Sequence, residues 1–404
     1  SNSLKDFEKK VTDFLHEEQP FLFIIDFNKS KKLVYSFEEA AERNIYFNIK
    51  GKGNDNHLDS KPQDKSSIDL HPEPISKEIY QKAFNEVKKE LNTGNSFLLN
   101  LTFPTILNTP ANLKEIYHKA SAPYKLLYKD KFVLFSPECY LKIKNDTIFS
   151  YPMKGTINSA IPNAKELLLS NKKELYEHNT IVDLIRNDLS MIAKKVKVNK
   201  YRYIEKIKKG NQELLQTSTE IQGELPNNWK DNFANLLLKT LPAGSISGAP
   251  KKKTIDIIER VEIMPRGFYT GIFGVFDGTQ MDSAVSIRYI EQIDGQLYYK
   301  SGGGITHLSS LEEEYQEAKY SLFDNLNLPL IDTSLKCKLR IEYNEIGVKW
   351  TVSEYVNKIP TSLLLLKDDE IDYRLKYTDR KQLNHSYQQK GDFEDVLIIN
   401  NGFI

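Results

Sequence analysis

Between residues 4 and 16, Leu4, Phe7, Val11, Phe14 and Leu15 recur at the intervals that put apolar side chains on one helical face. The next apolar run, FLFIIDF at 21–27, is short and continuous, which predicts a buried strand. Residues 49–74 have few apolar anchors among Gly, Asn, Asp, Ser, Lys and Pro, so a long loop or linker is expected there. Helical spacing returns at 75–94 and stops at Asn-Thr-Gly. Strands are expected at 96–107, 131–136 and 140–153, the last with a turn at Asn145-Asp146. From 164 to 195, Leu168, Leu175, Val182, Ile185, Leu189 and Ile192 form one helical stripe. Strands and glycine-rich turns are expected over 267–305. A helix follows from Ser310, which with Glu313 makes the S-x-x-E of a capping box. The pattern breaks near 328–333, so the chain is read as two units, 1–330 and 331–404.

Composition narrows the class of protein. Lys and Arg number 56 against 55 Asp and Glu, a net charge of +1, which lacks the basic excess of a general nucleic-acid binder. Cys139 and Cys337 offer neither a disulfide framework nor zinc-ligand spacing, in keeping with a reducing compartment. Apolar runs such as 21–25 and 362–366 are too short to cross a bilayer, and SNSLKDFEKK has no apolar signal core. A cytoplasmic protein of enzyme-like size is expected, with no nucleic-acid or membrane partner.

Five stretches could carry chemistry. Glu138 closes the strand KFVLFS in Ser136-Pro137-Glu138, where apolar neighbours can raise a carboxyl pKa and make a general acid. Lys154 lies between Pro152 and Gly155, and a desolvated lysine can act as base or nucleophile. Glu314 and Glu317 share a helical face behind SGGGI (301–305), a pairing that suggests Mg2+ holding an anionic ligand. Glu177 could add a further oxygen ligand, while the adjacent His178 is expected to make a helix-surface contact. LPAGSISGAPKKK (241–253) departs from a phosphate-loop pattern and better suits carboxylate capture at a helix start. Taken singly, each stretch also reads as a solvated loop or helix face.

Taken in order, the motifs resemble one family. SPE (136–138), PMKGT (152–156), ELYEHNTIVDLIRNDL (174–189), SISGAPK (245–251), RGFYTGIFG (266–274), VSIR (285–288) and GGGI with EEEYQEA (302–318) resemble the chorismate-utilising enzymes. The resemblance implies an α+β fold: a large antiparallel two-sheet sandwich with outer helices, like anthranilate synthase. It implies Glu138 as the acid that helps the C4 hydroxyl of chorismate leave. Glu177 and Glu317 would hold Mg2+ with help from Glu314. Arg288 and Tyr269 would hold the enolpyruvyl carboxylate, with backbone N–H groups at Gly302 and Gly303, and Ser247 would contact substrate.

Lys154 points to the subfamily, because aminodeoxychorismate synthases carry lysine where anthranilate, isochorismate and salicylate synthases carry alanine. The implied product is 4-amino-4-deoxychorismate, a precursor of 4-aminobenzoate and folate. Ammonia would come from a separate glutamine amidotransferase subunit, and anthranilate synthase component I is the alternative. Three departures stand out: Ile157-Asn158-Ser159 in place of an arginine-rich continuation, Gln216 where the family has histidine, and Leu98 where isochorismate and salicylate synthases place a lysine. The absence of L-L-E-S predicts no tryptophan inhibition. Residues 375–404 resemble part of the PLP-dependent aminodeoxychorismate lyases of fold type IV, which implies Lys376 as the Schiff-base lysine of PLP in a partial α+β module. A PLP enzyme and a non-catalytic chorismate-binding protein are the readings from other classes.

Overall fold

The two faces of strand Phe21–Ile25 define the architecture. All five residues are buried, yet they alternate, as a strand between two layers must. Phe21, Phe23 and Ile25 join a core with the apolar faces of helices Leu4–His16 and Trp229–Thr240. Leu22 and Ile24 turn the other way, into a core shared with Phe47, Leu126, Phe132 and Leu134 of a second sheet. That second sheet repeats the device: Val133 and Phe135 point outward to helix Leu113–Lys119. The result is a sheet-on-sheet sandwich with helices on its outside, an α+β fold built from antiparallel sheets.

The computed structural model describes residues 4–58, 68, 70–209 and 212–325, and four strands beyond them. In the first sheet the strand order is Met153–Asn158, Gln212–Glu224, Thr147–Ser150, Cys139–Lys144, Met281–Val285, Ile272–Phe276, Phe21–Ile25, Lys32–Ser36, with Lys194–Lys209 also paired to Gln212–Glu224. In the second the order is Gly248–Ala249, Leu98–Leu107, Gln296–Ile305, Tyr289–Ile293, Phe132–Ser136, Tyr124–Tyr128, Ile45–Ile49, Lys52–Gly53, with Pro72–Glu73 added to Leu98–Leu107. Every strand pairing in these two sheets is antiparallel.

Several expectations need adjusting. The stripe over 164–195 is two helices, Ala164–Ser170 and Lys172–Ser190. They divide at Asn171, whose side chain leaves the helix to accept from the Glu174 N–H and cap the second one. The stretch 49–74 is not all loop, since Lys52–Gly53 and Pro72–Glu73 join the second sheet. Residues 140–153 are two strands turned by Asn145 and Asp146, both at positive φ, as a tight hairpin turn requires. The hairpin of Lys194–Lys209 with Gln212–Glu224 was not anticipated by the helical stripe before it; alternation of Lys with Val, Tyr and Ile marks its first strand.

The chain divides into compact units Ser1–Leu330 and Ile331–Ile404. Within the second, Cys337–Asn344 and Gly347–Glu354 form an antiparallel pair, and Leu363–Lys367 runs parallel to Asp395–Ile399. Lys376 lies outside the described residues. Among the described residues no helix is long and apolar enough to cross a membrane.

Candidate active site

A β-bulge sets the site. In strand Met153–Asn158, Lys154 stands opposite Thr217 and Thr156 opposite Gln216, which leaves Gly155 as the extra residue. Gly155 has φ of +75°, a conformation glycine takes without strain. Such a bulge re-aims its neighbours, and the Thr217 hydroxyl fixes this one by donating to the Lys154 carbonyl. Lys154 is thereby turned toward helix Lys172–Ser190, where its Nζ lies 3.0 Å from Oε2 of Glu177. Burial acts to lower the Lys154 pKa, but Glu177, Glu174 and Glu138 outweigh it and hold the ammonium above its ordinary range.

Glu177 and Glu314 meet the glycine strand from different helices. A methyl group on Gly304 would stand 3.2 Å from Oε2 of Glu177, and one on Gly303 3.5 Å from Oε2 of Glu314. Both glutamates are buried, at 4% and 3% exposure. The missing side chains of Gly303 and Gly304 therefore leave the space into which two carboxylates point. Glu314 comes from helix Leu311–Asn325, which starts with the Ser310 hydroxyl accepting from the Glu313 N–H. Glu317 lies one turn on, exposed, and with Glu314 it faces the hydroxyl of Tyr80. Among the described residues no three His, Cys, Asp or Glu side chains converge as a ready-made metal cage. Two buried carboxylates fit Mg2+, which takes few protein oxygens and completes its shell with water and substrate.

Glu138 lies close enough to Lys154 for each charge to act on the other. Burial raises its carboxyl pKa, while a hydrogen bond from Ser245 and the charges of Lys154 and Arg288 oppose the rise. Its backbone is fixed on both sides, the N–H donating to the Ser136 hydroxyl and the carbonyl accepting from the Val285 N–H. Arg288 has φ of +52°, a conformation that costs a non-glycine residue energy and recurs at functional sites. Burial lowers the Arg288 pKa against the pull of Tyr299 and Glu138, and the guanidinium stays charged throughout. A small cavity opens beside Glu138, with Pro152, Ile185, Asp188, Thr240 and Ser245 in its wall.

The remaining expected residues divide. Tyr269 is buried in the core between the sheets with its ring 5.8 Å from that of Tyr289, and its hydroxyl faces Tyr299, Arg266 and Glu262. Gly302 is exposed, opposite Thr102 in the neighbouring strand. Ser247 is fully buried; its hydroxyl donates to the Ala243 carbonyl, and its own carbonyl accepts from the Asn100 N–H. The serine that reaches Glu138 is Ser245, two residues earlier, which sequence reasoning did not separate from Ser247. His178 is fully buried rather than on the helix surface; its Nε2 lies 2.6 Å from the Thr219 hydroxyl. Burial, with Arg202 and Lys154 nearby, pushes its pKa down to about 4, so the ring is neutral at pH 7. Gln216 stands opposite Thr156, beside the bulge.

With this geometry in place, comparison with known proteins is informative. Residues 10–322 match the sequence profile of a family described as chorismate binding enzyme. An uncharacterized PabA-like protein of Pasteurella multocida is 50% identical over 78% of this chain and 97% of its own length. Aminodeoxychorismate synthase component 1 of Bacillus subtilis is 28% identical over 61% of this chain and 54% of its own. The crystal structure of anthranilate synthase component I from Streptococcus pneumoniae superposes with a TM-score of 0.54 and 26% identity, over 66% of this chain and 60% of that one.

Proposed function

The chain belongs to the chorismate binding enzyme family, and on that premise we propose that it is component I of an aminodeoxychorismate synthase, using ammonia supplied by a glutamine amidotransferase subunit. The observation that carries this reading is Lys154, a lysine held by a bulge among carboxylates where a nucleophile could meet the substrate ring. Glu177 and Glu314 would hold Mg2+, whose charge would neutralise the ring carboxylate of chorismate. Arg288, charged and close enough to Glu138 for their charges to interact, would bind the enolpyruvyl carboxylate.

In this reading Nζ of Lys154 bonds to C2 of chorismate, the ring double bonds shift, and the C4 hydroxyl leaves as water with a proton from Glu138. Attack needs the neutral amine, so a neighbouring carboxylate must first accept the proton that those same groups hold on Lys154. Ammonia then adds at C4, the double bonds shift back, and the C2–N bond breaks to release the lysine and 4-amino-4-deoxychorismate. Glu138, whose pKa burial raises, is suited to hold the proton given to the leaving group. The test is product analysis of the purified chain with chorismate, Mg2+ and ammonium. 4-Amino-4-deoxychorismate is the expected product, and anthranilate with pyruvate would assign the chain to the alternative activity.

A further inference from the structure

Arg266 is 4% exposed and takes no part in the chemistry above. A guanidinium has five N–H donors, and here each has an acceptor. Nε donates to Oε2 of Glu262 at 2.9 Å. Nη1 donates to the Ile246 carbonyl at 2.6 Å and the Thr270 hydroxyl at 3.3 Å. Nη2 donates to the Asn100 carbonyl at 2.7 Å and Oε1 of Glu262 at 2.7 Å. The guanidinium also lies over the ring of Phe27, 4.6 Å from its centre. With no donor left, Arg266 has nothing to offer a substrate directly.

Its acceptors lie next to three segments: the serine loop, the Tyr269 turn and the glycine strand. Ile246 follows Ser245, which shares the wall of one cavity with Glu138. Thr270 follows Tyr269. Asn100 is paired with Gly304, and Thr102, whose N–H donates to Oε1 of Glu262, is paired with Gly302. From this convergence we propose that Arg266 is a positioning residue: one planar guanidinium that sets the serine loop, the Tyr269 turn and the glycine strand in register with one another. The proposal rests on the chorismate chemistry of this site. A buried ion pair is a costly way to gain stability alone, whereas a planar fork fixes direction in a way lysine, with three donors on a point charge, does not.

The test measures chorismate consumption, whatever the product, so that a wild-type chain inert toward chorismate counts against the functional reading and not against Arg266. Given wild-type turnover, Arg266→Lys should lower kcat/KM by about 100-fold, the cost of small misplacements in a site. Circular dichroism should remain that of a folded chain. Ser245→Ala should cost less when added to Arg266→Lys than when made alone, because the lysine variant has already displaced that loop. Unchanged kcat and KM in a folded Arg266→Lys, or losses that simply multiply, would overturn the proposal. If Arg266→Lys does not fold, Thr270→Val removes one acceptor of five. A few-fold loss of kcat/KM with an unchanged Tm then supports the proposal, and unchanged kinetics contradict it.

Discussion

Helix Lys172–Ser190 carries two buried carboxylates that each grip a lysine, and the pairs behave in opposite ways. Asp188 meets Lys251 at 2.6 Å, with side chains 11% and 17% exposed, and Lys251 also donates to the Thr240 carbonyl. There burial wins: it pushes the Asp188 pKa from 3.8 up to about 6 and lowers that of Lys251. Glu177 meets Lys154 at 3.0 Å, but Glu174 and Glu138 add their charges, and together they overcome burial and hold the ammonium. The first pair is matched one to one. The second has surplus negative charge around its lysine, which a cationic or proton-transferring site would use.

The contrast can be broken from either side. Glu138→Gln removes the acid near Lys154 and should reduce turnover by about 10²- to 10⁴-fold while leaving unfolding by heat little changed. Lys251→Met should act on stability instead, since it leaves Asp188 buried without its counter-charge. A loss of about 3–5 kcal/mol in urea unfolding is expected. Replacing both partners, Asp188→Leu with Lys251→Met, should recover most of that loss.

A smaller effect is the pH dependence of stability. The folded chain holds the Asp188 proton up to about pH 6, above its ordinary 3.8. A pKa raised by folding makes stability greatest below about pH 4 and lets it fall as the pH rises through 6, here by roughly 1–3 kcal/mol. Asp188→Asn should flatten that slope, as urea titrations at successive pH values would record.

The same contrast separates what was legible in the sequence from what was not. Short-range patterns read well: helix Leu4–His16 follows its apolar spacing, and the hairpin turn follows Asn145-Asp146. The Lys154 and Glu177 motifs stand in the sequence, and the structure brings their side chains together. Their geometry was hidden, because the bulge at Gly155 exists only against Gln212–Glu224, a strand more than fifty residues on. Ser245 and Ser247 could not be told apart, since a two-residue step in an irregular loop carries no periodicity. Arg266 was least legible of all. Two of its acceptors are main-chain carbonyls, on Asn100 and Ile246, which every residue type carries.

The most direct measurement is peptide mapping by mass spectrometry after the folded chain meets chorismate and Mg2+ without ammonia. With the amine withheld, the account predicts a covalent adduct of chorismate less one water on Lys154, and none on Lys251. An unmodified Lys154 in a preparation that consumes chorismate once ammonium is added, or an adduct confined to another lysine, would contradict it.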